Sequence, residues 1–157
     1  MPYSTQGKLQ QHVVDNEMRS ASDVNRVAQQ GEQPSNVYVI ESSEDFNKLL
    51  NNSSLIIVDN WQDACEPCDI LAPMFSGLAD DITDFCKNQI DDPTIKVPVV
   101  FASVNAMLRV IPVEGTPICM VFKRGDPTTL ATYGGVEGFK KLQTDLPKFI
   151  RRHTNIT

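Results

Sequence analysis

Histidine, tryptophan and cysteine are scarce in this chain: two, one and four among 157 residues. Four cysteines are too few for a disulfide-stapled scaffold. A domain of this length also buries about two-thirds of its unfolded surface without such help. Positive charge is in deficit, with fourteen basic against twenty acidic residues and a formal net charge of -6. That excludes the basic footprint of a general nucleic-acid binder. Apolar runs such as Leu55 to Val58 fall far short of the roughly 20 residues that span a membrane. The first twenty residues hold no apolar core of about seven, so no secretory leader is expected. There is no internal repeat. A soluble protein in a reducing, cytoplasmic compartment is the expectation.

Hydrophobic residues (41%) and charged residues (22%) are instead at globular levels, which argues against a wholly disordered or fibrous chain. The charge is unevenly spread. Nine acids lie between Asp59 and Asp92 against Lys87 alone, whereas five bases between Lys140 and Arg152 oppose Asp145. A solvated acidic helix face and a final helix ending in cations account for both. A docking patch is the alternative.

Residues 1–35 read as a polar extension, rich in Gln, Asn and Ser and closed by Gly31 and Pro34. Leu9, Val13, Met18, Ala21, Val24 and Ala28 recur at steps that could form one helical stripe. Two readings stay open: a helix that docks on the domain or pairs two copies as a homodimer, and a flexible tail.

Residues 36–157 read as one domain in which strands and helices alternate. Val37 to Ile40 is a short strand, and Ser42 or Ser43 caps a helix bearing Phe46, Leu49 and Leu50. Leu55 to Asn60 is a β-branched run suited to a central strand buried on both faces. A long helix begins near Pro67, with Cys68, Leu71, Phe75, Leu78, Ile82 and Cys86 on one stripe and a kink expected at Pro73. A polar loop from Asn88 to Lys96 precedes a strand from Val97 to Val104. Pro117–Lys123 and Leu130–Tyr133 read as a hairpin, and Val136 to about Arg152 as a last helix. The order β-α-β-α-β-β-β-α describes an α/β layered fold.

Cys65-Glu66-Pro67-Cys68 lies between the buried strand and the start of the long helix. Free N–H groups and partial positive charge at a helix N-terminus stabilise a thiolate. The first cysteine is then accessible, and the second, about a turn in, can close a disulfide with it. Proline between them is tolerated in a first turn. Half a zinc site and two unrelated structural cysteines are the alternatives. Zinc needs a second pair of ligands, and Cys86, Cys119, His12 and His153 are too scattered to suggest one. No metal is expected.

The stretch Val58 to Pro73, with Asp59, Trp61, the Cys-Glu-Pro-Cys and the helix proline, resembles the active-site region of thioredoxins. Gly115-Thr116-Pro117 before Ile118–Lys123 is similar to the cis-proline segment of that family, and Gly134 or Gly135 to the glycine ending its last strand. The resemblance covers about residues 36 to 152. It implies a thioredoxin fold: a central mixed sheet of four to five strands flanked by helices. It also implies a thiol–disulfide oxidoreductase needing no cofactor beyond a redox-active Cys65–Cys68 disulfide.

Under that resemblance Cys65 attacks a substrate disulfide, Cys68 resolves the mixed disulfide, and Asp59, its pKa raised by burial, accepts a proton from Cys68. Trp61 braces the site. Glu66, Pro67, Thr116, Pro117, Gly134 and Gly135 border the substrate, with the Thr116 backbone available for strand-like pairing. Protein disulfides or dithiols are the implied partners, together with an electron donor whose identity the sequence leaves open.

Several positions depart from the family pattern. Ala64 replaces the usual Trp, and Glu66 the usual Gly. A family lysine on the third strand gives way to an apolar residue near Phe101. The Asn105–Gly115 connection is short, with only Ala106–Val110 free to be helical. Asp63, Glu66 and Asp69 crowd negative charge around Cys65 and oppose the helix effect on its thiolate. A comparatively stable disulfide, and so reductase rather than oxidant behaviour, is expected. A binding or assembly module with vestigial redox activity is the alternative. Cys86 and Cys119 read as apolar core residues.

Overall fold

The computed structural model describes residues 35–89 and 98–155. The readings of residues 1–34, His12 among them, and of the loop after Gln89 fall outside it. Among the described residues five strands and three helices follow one another as β1 (Val37–Ile40), α1 (Ser43–Asn52), β2 (Leu55–Trp61), α2 (Glu66–Asn88), β3 (Val99–Asn105), β4 (Ile118–Lys123), β5 (Ala131–Gly134) and α3 (Gly135–His153). A single 3-10 turn, Ala106–Leu108, follows β3. The expected element order is therefore present, with β1 at its expected bounds and the others differing by up to three residues.

The strands form one mixed sheet in the order β1-β3-β2-β4-β5. β1, β3 and β2 are parallel, while β4 runs antiparallel to β2, and β5 to β4. The four-residue strands β1 and β5 are its two edges. β2 lies at the centre, and all seven of its residues are buried. Its Val/Ile/Leu run is what a strand covered on both faces needs.

Alternation along the strands divides the core in two. Leu55, Ile57, Trp61, Phe101 and Val121 face α2 and α3, whereas Ile56, Val58, Ala102 and Phe122 face α1. Helix α1 starts where Ser42 Oγ accepts the Asp45 N–H at 3.1 Å, and Asp45 accepts the Glu41 N–H at 2.9 Å in return. That reciprocal cap satisfies two otherwise orphaned donors. Helix α2 buries Cys68, Leu71, Ala72, Phe75, Ala79, Thr83 and Cys86. Leu78 and Ile82 are only partly buried and pack against the edge of that stripe. Pro73 stays on the exposed face of a helix that continues through it.

Helix α3 places Phe139, Leu142, Leu146 and Ile150 inward. Gly138 permits its close approach to β5, since a Cβ there would lie 2.8 Å from the Tyr133 carbonyl carbon. The same contact zone holds the Tyr133 hydroxyl, which donates to Asp145 Oδ2 at 2.8 Å. Burial, and then the Asp145 carboxylate, push the Tyr133 pKa above the ordinary tyrosine range. A phenol whose folded pKa is raised contributes stability fully below its unfolded pKa and loses it as pH climbs past that value. Urea unfolding is therefore expected to show stability falling between about pH 9 and 12, with a shallower fall in Tyr133→Phe. Equal slopes in the two proteins would exclude this coupling.

Candidate active site at the start of the second helix

Buried β2 ends at Trp61, and the chain must turn sharply before α2 begins at Glu66. Ala64 makes that turn with φ 57°, a left-handed conformation that costs a non-glycine residue on the order of 1 kcal/mol. Cys65 then caps α2, its Sγ accepting the Cys68 N–H at 3.3 Å. Glu66 and Pro67 occupy the first turn, where proline loses no bond. Cys65 and Cys68 are joined in a disulfide, with Cα atoms 5.2 Å apart. Cys68 is fully buried, and Cys65 is 8% exposed.

A second segment closes on the pair. The Thr116–Pro117 peptide is cis, Pro117 is buried, and Thr116 Oγ1 donates to Cys65 Sγ at 3.6 Å. The Pro117 carbonyl accepts the Gly135 N–H at 2.8 Å. Ile118 stands opposite Gly134 in the β4–β5 ladder. Gly134 closes β5, whereas Gly135 opens α3 with φ 72°, a conformation glycine adopts without penalty. Thr116, Pro117, Gly134 and Gly135 are thus brought together.

Asp59 lies on β2 two residues before Trp61, so both side chains project toward α2 and α3. It is fully buried. Its ladder neighbours are Ser103 on β3 and Cys119 on β4. On β3 Phe101 pairs with Ile57, a same-face diagonal neighbour of Asp59, and the buried hydroxyl of Ser103 stands directly beside Asp59. Residues 101 and 103 share a face, so alternation alone cannot separate them.

A thioredoxin-family profile matches residues 37–148. The chain belongs to the thioredoxin family. A thioredoxin-like protein of Fusarium culmorum is 24% identical over 102 residues, spanning 65% of this chain and 79% of its own length. A Coprinus comatus thioredoxin is 39% identical over 44 residues; that match spans 28% of this chain and under half (42%) of that relative. The solved Malassezia sympodialis thioredoxin superposes with a TM-score of 0.56 at 21% identity, covering 73% of this chain and 91% of its own. Trichomonas vaginalis thioredoxin gives the same TM-score at 18% identity, covering 73% and 98%. At such identities the solved structures bear on the thioredoxin fold alone.

Membership in the family and the joined Cys-x-x-Cys pair equip the chain for thiol–disulfide exchange in general. Among the described residues no group of three or more His, Cys, Asp or Glu could hold a metal ion. None of their helices is long and apolar enough to cross a membrane.

Some neighbours of the thioredoxin-family site escape sequence reasoning. Gln62, Met107, Arg109, Glu114 and Thr116 line a groove of about 450 Å³ beside the disulfide loop. The short 105–115 connection was the available signal: one 3-10 turn leaves Met107 71% exposed and Arg109 at φ 55°. Cys119, assigned to the core as expected, is also in contact with Asp59, its Sγ 4.0 Å from Oδ1. Cys86 lies on the buried face of α2, and burial pushes its thiol pKa up.

Proposed function

We propose that residues 36–157 form a protein-disulfide reductase acting through Cys65. The observation that carries this reading is the capped disulfide: Cys65 at a helix N-terminus, 8% exposed, and bonded to a fully covered Cys68. In the dithiol form the Cys65 thiolate attacks one sulfur of a substrate disulfide. A mixed disulfide forms and the other substrate sulfur leaves as a thiolate. Cys68 then loses its proton to Asp59 and attacks Cys65 Sγ, releasing the second substrate sulfur and closing the Cys65–Cys68 disulfide. Two electrons have passed to the substrate, and a dithiol donor returns the pair to its reduced state.

The other site residues support this cycle by position. Trp61, 2% exposed, shares one core cluster with Cys65 and Cys68, and in this reading it braces the disulfide loop. Glu66 and Pro67 border the reacting sulfur on the helix side, and Thr116 and Pro117 border it on the other. The extended backbone before Pro117 suits strand-like pairing with the substrate. Gly134 and Gly135 hold that loop without side chains. The groove between Gln62 and Thr116 gives room to residues flanking the target cystine. A reducing, cytoplasmic setting and the absence of a bound cofactor accompany the proposal.

Acceleration of insulin-disulfide reduction by dithiothreitol tests it, with turbidity above the dithiothreitol-only rate as the expected result. A rate equal to that background would reject the reductase and favour a binding or assembly module. Asp63, Glu66 and Asp69 are all exposed, so their influence on substrates should be salt-dependent. Glu66→Gln is expected to reduce an acidic disulfide peptide about two- to threefold faster at low salt, with the gain vanishing at high salt. A gain that persisted at high salt would point to a steric cause.

A further inference from the structure

One buried thiol has no part in this cycle. Cys119 lies on β4 directly beside Asp59 on β2, in the antiparallel ladder that also pairs Asn60 with Ile118. Both Cys119 and Asp59 are fully buried, and the thiol sulfur is 4.0 Å from Asp59 Oδ1. The carboxylate can only accept there and the thiol can donate. We propose that Cys119 is a positioning residue of the proposed reductase, its S–H donating to Asp59 Oδ1 and holding that carboxylate ready to take the proton of Cys68.

The surroundings favour this role. Burial, and then the Asp59 charge, push the Cys119 thiol pKa well up, so it stays protonated and keeps its donor at neutral pH. Ser103 flanks Asp59 from β3, its Oγ buried and without a hydrogen-bond partner, so it does not duplicate the thiol. On the buried stripe of α2 the titratable groups are the thiols of Cys68 and Cys86, and Cys65 caps the helix. From α3 the inward residues are Phe139, Leu142, Leu146 and Ile150, all apolar. On β5 Tyr133 stands next to Cys119, but its hydroxyl is committed to Asp145. A donor to an ionised carboxylate lowers its pKa relative to the same site lacking the donor. The thiol thus favours the ionised, accepting form of Asp59.

The inference rests on the proposed reductase, and two readouts keep them separate. In the full-length oxidised protein, where the paired cysteines do not titrate, carbon-13 NMR of the Asp59 carboxyl reads its midpoint directly. Cys119→Ala and the better-filling Cys119→Val are expected to raise that midpoint by about half a unit to one unit, a modest shift because a thiol is a weak donor. Cys119→Ser, which keeps a donor, should return it to the wild-type value or below. The pH at half-maximal insulin reduction should move in the same direction in each variant. Indistinguishable midpoints in the wild type, Ala and Val proteins would overturn the role of Cys119, as would a Ser variant behaving like Ala. A wild-type protein that shifts on substitution yet fails to reduce insulin would instead overturn the reductase, leaving the carboxyl–thiol link established.

Discussion

Cys65→Ser is expected to bring insulin reduction down to the rate of dithiothreitol alone. A hydroxyl at that position is not ionised at neutral pH and is a poor nucleophile toward sulfur. Loss of an attacking nucleophile costs on the order of 10⁴-fold or more. The effect should be chemical and not structural. Cys65 and Cys68 close a loop with a sequence separation of only 3, so the unfolded chain gains little freedom when their bond is lost. Far-ultraviolet circular dichroism and the urea midpoint should stay close to those of the reduced wild type. Cys68→Ser separates the two halves of the cycle. It retains the attacking sulfur but lacks the resolving one, so it should accumulate covalent adducts with substrate proteins. Mass spectrometry would detect them, and dithiothreitol would release them. Full activity in Cys65→Ser, or adducts in the double variant lacking both sulfurs, would place the chemistry elsewhere.

Phe75→Ala is expected to produce the largest loss of stability. Phe75 is fully buried on α2, with its ring centroid 5.5 Å from Phe101 of β3 and 6.2 Å from Phe139 of α3. It therefore joins three elements at one point. Truncating a buried phenylalanine removes its transfer free energy and leaves a cavity, about 3–5 kcal/mol together. Against a total of about 5–15 kcal/mol for a typical domain, that brings the fold near its limit. The urea midpoint should fall sharply with little change in slope. Ile70, on the same helix but 51% exposed, provides the comparison: Ile70→Ala should stay within about 0.5 kcal/mol of wild type. Equal losses in both variants would contradict the assignment of the core.

Phe75 and the paired cysteines also illustrate what could be read without coordinates. Phe75 and Cys68 fall on a 3.6-residue stripe, and the Leu55–Val58 run announces a strand covered on both faces. Local patterns of this kind located nearly every element. The paired cysteines were legible from their place between a buried strand and a helix start, and Thr116 and Pro117 through the resemblance to the thioredoxin cis-proline segment. The register between β2 and β3 was not. Alternation says which face a residue occupies but not which residue it stands beside. Here that choice is fixed by the Ser54 and Leu55 N–H groups, which both donate to the Pro98 carbonyl at 2.9 and 3.0 Å. Those bonds set Ser103, and not Phe101, against Asp59. The groove near Met107 was similarly out of reach, because it depends on how a short connection folds back. So was the Cys119–Asp59 contact, which joins residues 60 positions apart.

The brevity of β1 and β5 has a consequence for how copies of this molecule can meet. An outer strand offers unpaired N–H and C=O groups to any extended chain that arrives, and long flat rims invite stacking of sheet upon sheet. Four residues on either side supply too few such groups to hold a second protein by themselves. Self-association would consequently have to proceed through side-chain contacts. A concentrated solution of the folded domain should then resist growth into ordered fibrils.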